Sequence, residues 1–196
     1  MTSTPLRKPQ DTHCACALLL IDWFSCWPMR ERDQLLPRAR DASRVAARLV
    51  QRARQRDVPV IFANDNFGHW RSDFRAVVDA AVEEGGLAAE IATRMAPDPG
   101  DYFVLKPKHS AYFGTPLDLL LSHLRTRTIL IAGITTDQCV LATAIDGHIR
   151  DRRIVVVRDA CAAATASRHK GALERIEAFG ISAMNSRSVR WDRLAD

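Results

Sequence analysis

Six short aliphatic runs recur along the chain, separated by longer stretches with helical spacing, and few folds accommodate that alternation. The runs are Ala17 to Ile21, Val58 to Ala63, Tyr102 to Leu105, Thr128 to Ala132, Ile154 to Val157 and Ile181 to Met184. The longer ones are apolar at almost every position, the pattern of a strand covered on both faces. Between them lie amphipathic segments. Leu35 to Arg56 is apolar at 45, 46, 49 and 50, and Arg75 to Arg94 is interrupted at Glu84-Gly85-Gly86. Leu117, Leu120, Leu121 and Leu124 make one helical face, with Thr115 as a natural cap, and His169 to Phe179 is closed by Gly180. Strand and helix in turn predict α/β architecture: a single-domain, Rossmann-like three-layer α/β/α sandwich with a mostly parallel six-stranded sheet. A length of 196 residues suits one such domain. It is expected to occupy 14–196, with the polar, proline-bearing residues 1–13 as a loose leader.

In an open parallel sheet, chemistry gathers at the carboxyl ends of the strands. Asp22 ends the first run. Read alone it is equally a turn or helix cap, but two more reactive side chains end other runs. Lys106 follows the third immediately before Pro107, which favours an extended residue ahead of it. Of 28 lysines and arginines only four are lysine, at 8, 106, 108 and 170, so a lysine at a strand end stands out. An arginine cannot replace it in proton transfer. The third residue is Cys139, in Gly133-Ile134-Thr135-Thr136-Asp137-Gln138-Cys139-Val140, where a strand gives way to helical spacing. A cysteine in the first turn of a helix is expected to have a lowered thiol pKa and a reactive thiolate.

Taken in order, Leu18-Leu19-Leu20-Ile21-Asp22, then Leu105 to Thr115 with Lys106, then Gly133 to Val140 with Cys139, this chain resembles the isochorismatase-like cysteine hydrolases. That superfamily includes nicotinamidases and N-carbamoylsarcosine amidase, and the resemblance runs from about Ala17 to about Asn185. It implies a Cys-Asp-Lys triad of Cys139, Asp22 and Lys106 that hydrolyses a C–N bond of a small amide through a thioester. It also implies an oxyanion hole from the backbone N–H groups of Thr135 and Cys139, a cis peptide between Ile134 and Thr135, and assembly as a homodimer or homotetramer. Ser25-Cys26-Trp27 departs from the family's usual segment after the aspartate. Two other readings stand beside this one: vinyl ether hydrolysis of the isochorismate type, whose enzymes lack the nucleophilic cysteine, and a non-catalytic binding or scaffold member of the fold.

The remaining residues bound the partners. Trp23, Phe67, His69, Trp70 and Tyr112 are candidates for the wall of a substrate pocket, although aromatics after a strand also serve as core. Metal-using nicotinamidases place an Asp and two His near Asp65 and His69, whereas Phe67 stands here where a ligand would be expected. One carboxylate and one imidazole are too few for a transition metal, so neither metal nor cofactor is expected. The net charge of +5 is spread over the helices without a basic, aromatic stripe, which argues against nucleic acid. No run is long enough to cross a membrane. Five cysteines, at 14, 16, 26, 139 and 161, and the polar start at Met1 suit reduced thiols in the cytoplasm, with a small molecule as substrate. A further reading, a redox thiol protein, needs a resolving cysteine: Cys14 and Cys16 would share a strand face, but no second pair follows to make a zinc site, and the two are expected to be inert. Cys161 reads as a small residue in an alanine-rich turn.

Overall fold

The computed structural model describes residues 14–25, 27 and 29–194. The expected leader 1–13 and Cys26 lie outside the described residues. Six strands form one sheet: β1 (Cys16–Ile21), β2 (Val60–Asp65), β3 (Tyr102–Lys106), β4 (Thr128–Ile134), β5 (Arg153–Ala162) and β6 (Ser182–Met184). Their order is β3-β2-β1-β4-β5-β6, and every pairing is parallel. The sheet is therefore wholly parallel, one step beyond the mostly parallel sheet expected.

Helices cover both faces. They are α1 (Arg32–Arg54), α2 (Phe74–Glu83), α3 (Gly86–Arg94), α4 (Leu117–His123), α5 (Leu141–Ile149), α6 (Ala166–Ala178) and the short α7 (Trp191–Leu194). Because successive side chains of a strand point to opposite faces, Leu18 and Leu20 pack with α1, α2, α3 and α7. Leu19 and Ile21 pack with α4, α5 and α6. All four are at most 1% exposed, and each contributes roughly 1.5–3 kcal/mol by leaving water. The break between α2 and α3 comes from Gly85 and Gly86, which hold φ of 76° and 56°.

The order reverses direction on either side of β1. From β1 the chain adds β2 and β3 to one side and β4 and β5 to the other, which opens a crevice above the carboxyl ends of β1 and β4. Register aligns those ends: Ile21 lies beside Ala63 on β2 and beside Gly133 on β4, and Asp65 lies beside Lys106. Here β1 and β4 touch main chain to main chain. A Cβ on Gly133 would come within 2.4 Å of the Ile21 carbonyl oxygen.

One element is longer than its sequence signal. β5 was expected to end near Asp159, with Cys161 in a turn, but the strand continues to Ala162. Ile131 pairs with Val156 and Gly133 with Cys161, so the intervening residues of β5 bulge out before pairing resumes. Asp159, in that bulge, accepts hydrogen bonds from the Ser186 N–H and hydroxyl, both at 2.7 Å. The bulge is invisible to an apolar-run argument because Arg158 and Asp159 interrupt the run while the pairing beyond it is made by small residues.

Candidate active site

Each reactive side chain is delivered by a strand that stops. Asp22, the first residue past β1, takes a left-handed conformation with φ 53°, which Asp tolerates better than most residues. Its Oδ1 accepts from the Asp65 N–H at 2.7 Å, and its own N–H donates to the Ala63 carbonyl at 3.0 Å. The chain beyond is fixed by buried Asn64, which accepts from the Phe24 N–H at 2.9 Å and donates to the Phe24 carbonyl at 2.7 Å. Lys106 ends β3 and is fully buried. Its Nζ lies 2.8 Å from Asp22 Oδ2, 3.3 Å from Asp65 Oδ2, 3.2 Å from the Lys108 carbonyl and 3.4 Å from Cys139 Sγ.

Cys139 arrives by a different device. β4 ends at Ile134, the Ile134–Thr135 peptide is cis, and a π-helical turn from Thr136 to Val140 leads into α5. The turn is closed by the Val140 N–H donating to the Thr135 carbonyl at 3.2 Å. Cys139 is therefore one turn ahead of the α-helix proper and only 9% exposed. His109, three residues past Lys106, brings Nδ1 to 3.6 Å from the same sulfur.

The electrostatics of this cluster differ from the sequence expectation at one point. Burial pushes the Cys139 thiol above its ordinary value, the Asp22 carboxylate pushes it further, and Lys106 only partly offsets them. The expected lowering by a helix start is overridden because the sulfur is desolvated beside an anion. Asp22 is likewise raised, by burial, against the opposing pull of Lys106 and of the Cys139 hydrogen bond. For Lys106 burial acts downward, but Asp22, Cys139 and Asp65 outweigh it and keep the ammonium charged. The resting cluster is a thiol and a carboxyl group joined by a lysine cation.

A second layer supports the turn. Thr136, fully buried, shares a 2.8 Å hydrogen bond with His169 Nδ1 on α6. The neighbouring Arg168 pairs with Asp137 at 3.1 Å and with Glu31 at 3.3 Å. Consecutive residues of α6 thus grip consecutive residues of the turn.

Above the cluster lies a cavity of about 170 Å³ lined by Asp22, Ser25, Trp27, Met29, Asp65, Phe67, His109, Ile134, Thr135, Gln138 and Cys139. Trp27 Nε1 and Thr135 Oγ1 are buried without a hydrogen-bond partner among the described residues. A larger cavity of about 600 Å³ sits beside Phe74 and Phe103 at the outer edge of the sheet, away from all of these groups.

Of the residues read from sequence, Asp22, Lys106, Cys139, Thr135 and Phe67 come together here. Of the five pocket-wall candidates, the other four do not line the cavity. Trp23 is 1% exposed in the core under α1, on the face of Leu18 and Leu20, because the left-handed backbone at Asp22 breaks the strand's alternation. His69 and Trp70 stand in solvent, Trp70 79% exposed, because the loop turns away after Gly68. Tyr112 is buried on the opposite face of the sheet from Trp23, against Gly147 and beneath the Arg150 guanidinium at 5.0 Å. Conversely, sequence reasoning passed over Asp65 as a partner of Lys106, and also His109 and the His169–Thr136 pair. Asp65 had a usable signal, its place at the carboxyl end of a buried strand. Its oxygens are engaged by the Phe67 N–H at 2.7 Å and by Lys106. Among the described residues no group of three or more His, Cys, Asp or Glu is arranged to hold a metal.

Comparison with known proteins follows the same geometry. The family model of the isochorismatase domain matches residues 16–188. An uncharacterized isochorismatase family protein, YaaI of Bacillus subtilis, is 33% identical over 161 residues, covering 82% of this chain and 88% of the relative. The ureidoacrylate amidohydrolase RutB of Enterobacter sp. is 37% identical over 99 residues, 50% of this chain but only 43% of that longer protein. Among solved structures, N-carbamoylsarcosine amidase from Thermoplasma acidophilum superposes with a TM-score of 0.67 at 25% identity, covering 89% of this chain and 98% of the other.

Proposed function

We infer that this chain, which belongs to the isochorismatase family, is a cysteine hydrolase that cleaves the C–N bond of a small amide through a thioester. The observation that carries the reading is the meeting of three side chains from distant strand ends, with Lys106 Nζ 2.8 Å from Asp22 and 3.4 Å from Cys139. Amidohydrolases among its relatives, RutB and the carbamoylsarcosine amidase, agree with the reaction class.

The chemistry follows from the charges. Asp22, a carboxylate whose raised pKa makes it a stronger base, takes the thiol proton. The thiolate then stands beside the Lys106 ammonium, which compensates its charge while the sulfur attacks the amide carbon. The backbone N–H groups of Thr135 and Cys139 hold the oxyanion. Collapse breaks the C–N bond, the nitrogen leaves as ammonia or an amine carrying the proton from Asp22, and a thioester remains on Cys139. Water, deprotonated by Asp22, attacks that carbonyl, and the acid departs as the thiol is regenerated.

The cavity suggests the substrate's shape. Roughly 170 Å³ bounded by Trp27, Met29, Phe67 and Ile134 suits a small, partly apolar amide. A buried donor left unpaired costs about 1–3 kcal/mol, so Trp27 Nε1 and Thr135 Oγ1 favour a substrate with a second acceptor beyond the scissile carbonyl. The test is a panel of nicotinamide, ureidoacrylate, N-carbamoyl amino acids and simple ureides, scored for ammonia release by the wild type and by Cys139→Ala. One or more of these amides should be turned over by the wild type alone. Equal turnover by both proteins would exclude the covalent route.

A further inference from the structure

At the opposite end of β1 from Asp22 lies a second pair of reactive groups. Cys14 and Cys16 are both free thiols, and their Sγ atoms are 3.7 Å apart. The backbone that presents them is fixed: the Cys14 N–H donates to the Leu124 carbonyl at 3.2 Å, and the Thr126 hydroxyl donates to the Cys14 carbonyl at 3.0 Å. The N–H groups of Arg127 and Thr128 both donate to the Ala15 carbonyl, at 2.8 and 2.9 Å. Both cysteines line one cavity of about 490 Å³, together with Arg56, Val58, Trp191 and Asp192.

The two thiols differ in the way a sensor pair must. Cys14 is half-buried, while Cys16 is 1% exposed. Burial and the neighbouring Cys14 push the Cys16 thiol up to about 12, so it holds its proton. A half-buried sulfur open to the cavity, with a second, buried sulfur 3.7 Å behind it, is the arrangement that converts one oxidation event into a closed ring.

We propose that Cys14 and Cys16 form a peroxide-responsive dithiol, separate from the hydrolytic site, in which Cys14 is oxidised and Cys16 resolves it. In the first step the Cys14 sulfur attacks one peroxide oxygen and the O–O bond breaks. Cys14 becomes a sulfenic acid, and hydrogen peroxide is reduced to one water. In the second, Cys16 sulfur attacks Cys14 sulfur, the S–O bond breaks, and the hydroxyl leaves with the Cys16 proton as a second water. An external thiol reverses the ring by exchange.

The full chain exposed to a small excess of hydrogen peroxide, alkylated and mapped by mass spectrometry tests this directly. The wild type should yield a Cys14–Cys16 disulfide that dithiothreitol reopens, and Cys26→Ser should yield it equally. Cys16→Ser, with Cys16→Ala as the packing-conservative second variant, should instead accumulate a dimedone adduct at Cys14. Cys14→Ser should leave Cys16 reduced. A disulfide from Cys14 to any other cysteine, or absence of the dimedone adduct at Cys14 in both position-16 variants, would overturn the proposal. None of these readouts requires amide turnover, so failure here leaves the hydrolase reading untouched, and the reverse.

Discussion

The reactivity of Cys139 is set by two neighbours that pull in opposite directions, and this makes the Asp22→Asn variant informative. Removing the carboxylate removes an anion that raises the thiol, so the sulfur should ionise more readily. Alkylation of Cys139 by iodoacetamide at pH 8 is expected to be several-fold faster in Asp22→Asn than in the wild type. Amide turnover should fall by about 10²-fold or more, because the base is gone. Slower alkylation would mean that the carboxylate activates the sulfur at rest, contrary to the geometry. Lys106→Met tests the other neighbour. It leaves the buried Asp22 and the half-buried Asp65 without the cation they share, at a cost of roughly 3–5 kcal/mol. In urea denaturation that deficit should shrink as pH falls, because Asp22, already raised by burial, takes up a proton. The convergence of 22, 106 and 139 was legible in the sequence because Asp22 and Lys106 end apolar runs and Cys139 follows the end of a third at a strand-to-helix turn. The direction of the thiol's shift was not, since a helix-start rule uses local chain alone, whereas the burial that overrides it comes from packing and the carboxylate that adds to it from a strand over a hundred residues away.

At the level of elements, the approach of β1 to β4 admits no side chain at Gly133. A methyl there would meet the Ile21 carbonyl oxygen at 2.4 Å, its Cβ at 2.7 Å and its nitrogen at 2.8 Å, on a residue already at φ 155°. Backbone atoms cannot rotate out of the way. Gly133→Ala should lose about 2–4 kcal/mol by combined overpacking and backbone strain, read as a lower urea midpoint. Turnover of any accepted amide should fall with it. The π-helical turn depends on α6 in another way. His169→Leu strands the fully buried Thr136 hydroxyl, and a loss of about 1–3 kcal/mol is expected. Adding Thr136→Val removes the stranded group and should recover most of that loss, an outcome that a purely steric role for His169 would not produce. Strand positions and the break at Gly85-Gly86 were plain from periodicity. The turn's grip on α6 and the bulge in β5 were not, because both are pairings between segments whose own sequences carry no mark of the partner.

For the molecule as a whole, three raised thiols give stability an alkaline slope. Burial holds Cys161 at about 12 and Cys16 at about 12, and Cys139 is also raised, whereas an unfolded cysteine ionises near about 8.5. Between those values the unfolded chain releases protons that the folded chain keeps. Stability is therefore fully present below about pH 8.5 and declines as pH rises towards the folded values. Lys106, raised as well, adds to the decline only above about pH 10.4, where an unfolded lysine loses its proton and the folded one keeps it. Free energies of unfolding at pH 7.5 and 9.5 should show a decline in the wild type that is smaller in Cys161→Ala. The layered architecture was legible from six apolar runs, while the cavity wall was not, since Trp23 and Trp27 are both tryptophans after the same strand and only one faces the crevice. The bare contact of Gly133 with Ile21 has a last consequence for descent. With no side chain between the two strands, drift in core volume carries acid and sulfur together, so their separation is inherited with the main chain. Loops above are then free to change what is hydrolysed while the means of hydrolysis persists.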